Sequence, residues 1–149
     1  MSSSTLVFRH LSKEECQQLL RSHNHGRLAF TGRGRVDVEP IHYVYEDPWV
    51  VARTGAGTKL TMLAHRPWVA FEIDEVDEMF RWRSVVVKGT VYWLDDEMVD
   101  PEARAQAIAV YRRLLPDAFT PDDPLPGRDA LFRIHVDEYH GRICTPGPG

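Results

Sequence analysis

Short apolar runs alternate with clusters of turn residues along most of the chain, a pattern that is typical of β-strands. The longest run contains Gly89, which predicts a bulge or a bend within that strand. A strongly acidic stretch follows the fourth run and predicts a solvent-exposed connection. The predicted strands are RLAF (27–30), VDVEPIHYVY (36–45), WVVART (49–54), VAFEID (69–74), RWRSVVVKGTVYWL (81–94) and LFRIHV (131–136).

Helices are predicted at three places, one before the first strand and two between later strands. The sequence SKEE (12–15) is a capping box and predicts a short helix over residues 12–23, closed by Gly26. Residues 60–66 have a helix-like pattern, and Asp100 followed by proline predicts the start of a further helix. The order is helix, three strands, short helix, two strands, helix and strand. This order predicts a mainly β fold, a six-stranded antiparallel barrel with helices over its ends.

Length and composition fit one globular domain over residues 1–149, with a loop at 116–128 and a disordered tail at about 144–149. The net charge is −4 and the pI is about 5.9, which does not fit a nucleic-acid-binding domain. No apolar run approaches the roughly 20 residues that span a membrane. The N-terminus lacks a secretory signal pattern, and Cys16 and Cys144 lie outside any CxxC motif. These features predict a cytoplasmic protein with reduced thiols.

The stretch WVVARTGAGTKLTML (49–63) places a glycine-containing turn between a predicted strand and a predicted helix. Leu60 stands where both the Walker A loop and the dinucleotide fingerprint need another residue type. Turn amides and a helix N-terminus still favour an anion, to which Thr54 and Thr58 would add hydroxyl groups and Lys59 a charge. The alternative is an ordinary turn with an exposed lysine.

Two strands carry further candidate positions. Alternation in the second predicted strand directs Pro40 and His42 to one face and Ile41 to the other. Proline donates no ladder hydrogen bond, so this strand lies at an edge or is interrupted there, which leaves backbone groups free for a flat ligand. His42 is alternatively an ordinary half-exposed strand residue. Both faces of WRSVVVKG (82–89) are largely apolar, which predicts a central strand or a subunit interface.

Taken together, these blocks resemble the flavin-binding split-barrel family of pyridoxamine 5′-phosphate oxidase-like proteins, in the style of its short, nitroimidazole-resistance-like members. The resemblance extends from Gly26 to about Leu94 and includes the final strand. It implies a six-stranded split β-barrel that forms a homodimer with FMN at the dimer interface. The matching blocks are GRLAF, VEPIHYVYED, VVARTGAGTKLTML, RPWVAFEID, WRSVVVKGTV and LFRIHVDEYHGRI.

The resemblance also implies which residues hold FMN. The segment Glu39, Pro40, Ile41 and His42 would lie along the flavin ring and ribityl chain. The phosphate would be held by the residues of the glycine turn, namely Thr54, Gly55, Gly57, Thr58 and Lys59. Ser84 would approach the edge of the flavin ring from the partner subunit, and Trp82 and Val85 would border it.

Because redox chemistry belongs to the flavin, no catalytic side chain is expected. The resemblance implies an oxidoreductase that passes electrons from a reduced nicotinamide to a small acceptor. The alternatives are a flavin-binding carrier or sensor without turnover of its own and a relative that uses a deazaflavin.

Overall fold

The computed structural model describes residues 5–32, 34–55, 67–94, 100–128 and 130–147. Within these ranges the chain forms seven strands and two helices. The helices are α1 (Lys13–Ser22) and α2 (Pro101–Tyr111). The strands are β1 (Leu6–Leu11), β2 (His25–Gly32), β3 (Arg35–Glu46), β4 (Trp49–Thr54), β5 (Trp68–Glu78), β6 (Arg81–Trp93) and β7 (Ala130–Pro146).

The seven strands form one antiparallel sheet, in which the six strands β2 to β7 close into a ring and β1 is added at the edge of β7. Their order is β1-β7-β4-β3-β2-β5-β6, and a further pairing between β6 and β7 completes the ring. Alternate residues of β2 to β7 point inward and fill the ring with apolar side chains, including Phe71, Val85 and Ile134. The predicted mainly β, antiparallel split barrel is therefore confirmed.

β1 was not predicted, and its presence also corrects the predicted tail. It pairs with the C-terminal part of β7, from Leu6 opposite Pro146 to Leu11 opposite Gly141. Residues 144–146 thus belong to a strand, and the prediction of disorder is wrong for them. Val7 and Phe8 are exposed, so this segment lacks the alternation of buried and polar positions that marks a strand in sequence. Its structure depends on a partner strand 130 to 140 positions away along the chain.

Helices α1 and α2 both begin after their predicted N-cap residues. Ser12 and Glu15 form the capping box of α1, and the Asp100 side chain accepts a hydrogen bond from the Ala103 amide. Gly26 does not close α1 but lies within β2, packed so closely that an added Cβ would overlap the Phe71 ring. The predicted helix at 60–66 lies outside the described residues.

Two further boundaries differ from the prediction. The acidic stretch after residue 74 is not a connection, because β5 continues through it to Glu78 as the partner of β6. The last strand continues ten residues beyond the predicted end at Val136, up to Pro146. Polar residues on a solvent-facing strand surface hide such extensions from a hydrophobic pattern.

Both helices lie against the barrel. α1 adds Cys16, Leu19 and Leu20 to the cluster that fills the interior. α2 covers part of the outer surface, where Val44, Val51 and Leu131 of β3, β4 and β7 form a second apolar cluster with it. Elsewhere on the barrel, β2 and β5 have no substantial contact with either helix of the described residues, and the outward-facing Val36 and Val38 of β3 are exposed.

Gly89 allows β6 to approach β7 closely. The register of β6 and β7 shifts between Lys88 and Gly89, so an irregularity is present there, but the extra residue is Asp137 of β7. A Cβ added to Gly89 would overlap the His135 carbonyl. We expect Gly89→Ala to lower the free energy of unfolding by about 1–3 kcal/mol, since the clash is with backbone. Gly55→Ala is the matched control, because its Cβ would lie 3.5 Å from the Gly127 carbonyl oxygen, an ordinary contact. Urea denaturation of both variants measures the difference, and equal midpoints would contradict it.

Candidate ligand site between β3 and β4

β3 has one free edge over its first eight residues. Residues 35–42 pair with β2, whereas β4 pairs only with the segment from Tyr43 to Glu46. Among the described residues, no strand pairs with the other edge of residues 35–42. Pro40 lies within this free segment, so the prediction of an edge or an interruption at Pro40 is confirmed. No strand of the described residues pairs with the backbone hydrogen-bonding groups on that edge.

β4 leaves β3 where this free edge begins. The last β3–β4 pair is Tyr43 with Ala52, and β4 then continues to Thr54 paired only with Ala130 of β7. A continued ladder would have set Thr54 opposite Ile41. Because the ladder stops, the sheet splits between the free edge of β3 and the end of β4. The predicted phosphate residues Gly57, Thr58 and Lys59 follow this point in the sequence and lie outside the described residues.

The side chains next to the split have the orientations that the sequence predicted. Ile41 is 5% exposed and packs in the barrel core, whereas Pro40 and His42 face outward and are exposed. Glu39 and Thr54 are half-buried. This part of the structure therefore brings the residues 39–42 and 54–55 to one opening in the sheet.

His25 is a neighbour that the sequence did not reveal. Its ring centroid lies 5.3 Å from that of His42, because β2 and β3 place the two residues opposite each other. The pair forms a polar, aromatic surface on the outward face beside the split. Only the strand register shows this contact, since the two residues lie 17 positions apart in the chain.

Of the three predicted site residues on β6, only two lie on the same face. Trp82 and Ser84 face outward and are half-buried, whereas Val85 is 0% exposed and packs in the barrel core. The structure does not place the Val85 side chain on the surface that Trp82 and Ser84 share. β6 pairs with both β5 and β7, so the prediction of a central strand is confirmed.

Ser84 and His42 lie on the same outward face but not next to each other. The register aligns Pro40, Arg27, Glu72 and Val86 in one row across β3, β2, β5 and β6. Ser84 lies two residues from Val86, so about three strand spacings, roughly 14 Å, separate it from the free edge of β3. The ligand atoms that contact this edge would therefore be too far from Ser84 of the same chain to touch it.

Charged side chains occupy the middle of this row. Arg27 Nη1 lies 3.0 Å from Glu72 Oε1 and 3.6 Å from Asp74 Oδ2. Burial raises the pKa of the Glu72 carboxyl, and a hydrogen bond with Asp74 adds to that shift. The sequence placed both acids near an exposed connection and gave no sign of Arg27 as their partner. One guanidinium therefore faces two carboxylates in this part of the row.

Arg53, just before Thr54, anchors a loop at the end of β4. Its side chain is 1% exposed, and its two terminal nitrogens lie 2.5 and 2.8 Å from the Asp123 carboxylate. The rings of Tyr111 and Phe119 lie 5.3 and 4.9 Å from the guanidinium carbon. Asp123 also accepts hydrogen bonds from the Phe119 and Leu125 amides, and Arg53 holds the pKa of its carboxyl well below the usual range.

His23, which directly follows α1, pairs with an acidic residue of β5. Its Nε2 lies 2.5 Å from Glu75 Oε2, and Arg83 also contacts that carboxylate. Within the described ranges, no group of three His, Cys, Asp or Glu side chains is arranged to hold a metal ion. Neither α1 nor α2 has the length and apolar character that a membrane-crossing helix needs.

Comparisons with known proteins agree with this architecture. The family model described as pyridoxamine 5′-phosphate oxidase matches residues 12–143. The uncharacterised protein Rv0080 of Mycobacterium tuberculosis is 34% identical over 112 residues, which are 70% of this chain and 68% of that protein.

Two solved structures show similar folds. A FAD-binding protein of Mesorhizobium loti superposes with a TM-score of 0.68 at 27% identity, covering 91% of this chain and 97% of its own. A putative 5-nitroimidazole antibiotic resistance protein of Bacteroides thetaiotaomicron has a TM-score of 0.73 at 19% identity, covering 94% of this chain and 89% of its own. The second likeness concerns the fold alone.

Proposed function

This chain belongs to the pyridoxamine 5′-phosphate oxidase family, and from that premise we propose that it is a flavoprotein that binds FMN at the split between β3 and β4. The observation that carries the proposal is the free edge of β3, which begins where β4 turns away. A flavin ring is flat and has hydrogen-bonding atoms along one side. The backbone groups of residues 35–42 match those atoms in kind. The solved FAD-binding relative from Mesorhizobium loti adds support.

The residues present fit the two ends of FMN. Pro40 offers no amide hydrogen and a flat apolar surface, and His42 with His25 supplies a polar aromatic surface on the same face. At the other end, Thr54 supplies a hydroxyl and Gly55 leads into the Gly57-Thr58-Lys59 segment. Backbone amides and one lysine are a suitable donor set for a single phosphate.

We place the flavin at the interface of a homodimer. Val36 and Val38 are 75% and 56% exposed on the outward face, where no helix of the described residues covers them. A second copy on that face would bury this apolar surface. It would also bring Ser84 of the partner subunit, with Trp82, to the flavin that Ser84 of the same chain is too far away to reach.

When bound, the flavin supplies the redox chemistry, namely electron transfer from a reduced nicotinamide to a small acceptor. The chain's own residues orient the ring through the β3 edge and exclude water with Trp82 and Pro40. The Ser84 hydroxyl donates a hydrogen bond at the ring edge, which favours negative charge there. Steady-state oxidation of NADH and NADPH with quinones, nitro compounds and oxygen tests turnover. Binding without any turnover would make the protein a carrier or a sensor.

Lys59 is the charge that we propose for the flavin phosphate, and Lys59→Ala tests the site directly. A charge-assisted hydrogen bond is worth roughly 1.5–3 kcal/mol, so the Kd for FMN should rise about 10- to 100-fold. Riboflavin has the same ring and ribityl chain without the phosphate, and its weaker binding should be unchanged in the variant. Quenching of flavin fluorescence measures both Kd values. An equal loss for the two ligands, or no loss for either, would contradict the assignment.

A further inference from the structure

β3 has a second free edge, on the opposite side of the strand from the edge that we propose for the flavin. β2 begins at His25 and pairs with β3 only up to His42, whereas β3 continues to Glu46. Among the described residues, no strand lies beside residues 44–46 on that side. The sheet therefore has a second opening, next to the C-terminal end of α1.

Tyr45 directs its backbone N–H and C=O groups into this opening. The Tyr43 amide donates a 2.9 Å hydrogen bond to the Asn24 carbonyl oxygen, so the backbone of Tyr43 faces the connection between α1 and β2. In a strand, the backbone groups of residues i and i+2 point to the same edge, and Tyr45 therefore faces the same side. β2 does not extend far enough to pair with Tyr45, so no strand of the described residues uses these two groups.

A cleft of about 350 Å³ lies in front of this edge, within the size range of small-molecule sites. Its lining comes from three places, namely the end of α1 with the residues after it, β3, and the residues that follow α2. The lining includes Arg21, Asn24, Val44, Tyr45, Arg113 and Leu114. None of these residues belongs to the proposed flavin site.

Arg21 is an exposed cation at this cleft without a carboxylate partner among the described residues. Its guanidinium carbon lies 5.5 Å from the centre of the Tyr45 ring. Arg113, the other arginine of the lining, already faces Glu46, with 2.6 Å between Nη1 and Oε2. Two guanidinium groups and one carboxylate at the cleft favour an anionic ligand.

A carboxylate next to an amide matches this arrangement. One carboxylate oxygen can accept the Tyr45 N–H, and the other can accept hydrogen bonds from Arg21. An amide N–H of the same ligand can donate to the Tyr45 carbonyl oxygen, as an added strand would. A short apolar group would contact Val44 and Leu114. An amino acid with an acylated nitrogen and an apolar side chain carries all of these groups in a molecule of suitable size.

We propose that this cleft binds a small N-acyl amino acid with an apolar side chain. Its carboxylate lies at Arg21, and its amide pairs with the backbone of Tyr45. The ligand takes the place that a further residue of β2 would have if that strand were longer. This site uses the other edge of β3 from the flavin, so its occupation does not require a bound flavin.

Titration of the whole protein with N-acetyl-L-leucine, followed by NMR spectra of the backbone amides, tests the proposal. We expect saturable shifts that are centred on the Tyr45 amide. N-acetyl-L-leucine amide lacks the carboxylate and should bind about 10- to 100-fold more weakly, since a charge-assisted hydrogen bond is worth that factor. Isocaproate keeps the carboxylate and the apolar chain but lacks the amide, and should bind about 2- to 10-fold more weakly.

Arg21→Met should weaken the binding of N-acetyl-L-leucine about 10- to 100-fold. Lys13→Met is the matched control, because Lys13 lies on the same helix and is also 5.5 Å from the centre of a tyrosine ring, that of Tyr139, but outside the cleft. Its replacement should leave the affinity unchanged. Glu46→Gln frees Arg113 for the ligand and should tighten binding by up to about 5-fold.

Equal losses in Arg21→Met and Lys13→Met would overturn the inference, because they would indicate a general effect of charge. Equal affinity for acetate or inorganic phosphate would also overturn it, since the cleft would then be a simple anion site. No saturable binding of N-acetyl-L-leucine would refute the cleft and leave the flavin site standing. Displacement of the probe by FMN would place the probe at the flavin edge and refute a separate site, whereas equal binding with and without FMN would support it.

Discussion

Asp123→Ala should lower the free energy of unfolding by about 3–5 kcal/mol, because it leaves Arg53 as a buried charge without its carboxylate. Arg53 is 1% exposed at its side chain and makes two hydrogen bonds to Asp123. The substitution also removes the acceptor for the Phe119 and Leu125 amides, so the loop that covers the end of β4 loses its anchor.

Urea denaturation at neutral pH measures this loss, with Asp122→Ala as the control from the same loop. Asp122 is exposed, and its replacement should change stability by less than about 0.5 kcal/mol. The expected pH dependence follows from the lowered pKa of Asp123. The wild-type advantage is fully present above the unfolded-state pKa of about 4 and diminishes as the pH falls below it. A loss below 1 kcal/mol at neutral pH, or a constant difference down to pH 2.5, would show that the ion pair is not the anchor.

Ser84→Trp should abolish flavin binding while the barrel stays folded. Ser84 is half-buried on the outward face of β6, where a larger side chain disturbs no core contact but fills the space that the partner's flavin needs. Ser84→Ala removes the hydroxyl group without adding volume and should retain binding. Circular dichroism confirms the fold, and fluorescence titration gives the occupancy. Normal occupancy in a folded Ser84→Trp protein would exclude Ser84 from the site.

A mixing experiment separates a shared site from a site within one chain. Ser84→Trp and Lys59→Ala chains are each defective, but a heterodimer of the two contains one site with both native residues. Random reassociation should therefore restore about a quarter of the flavin sites, because half of the dimers are heterodimers with one native site each. No restoration, with heterodimers shown to form by mass spectrometry, would contradict the shared site.

Sequence reasoning succeeded where local pattern and local chemistry determine the structure. Ile41 is buried and Pro40 and His42 are exposed, as strict strand alternation requires. Ser12 and Asp100 cap their helices because the capping interactions span only three residues. Pro40 revealed an interrupted strand because a missing amide hydrogen is a property of the residue itself.

It failed where the determining contact is remote in the chain. β1 exists because β7 is its partner, and nothing in residues 6–11 alone shows that. Arg53 and Asp123 lie 70 positions apart, so their ion pair is visible only in the folded chain. Val85 was placed at the ligand by resemblance to other proteins, whereas the alternation of β6 directs its side chain into the core.

The free edge of β3 has a consequence for the protein before it meets its ligand. No strand of the described residues pairs with this edge, and next to exposed Val36 and Val38 it is a template on which a strand of another chain can add. Pro40 blocks only one position of that template, since it lacks one donor. In the proposed complex the flavin covers this edge, so a chain synthesised faster than flavin is supplied would expose the edge and aggregate more readily. The supply of flavin in the cell would then determine how much of this protein stays in solution.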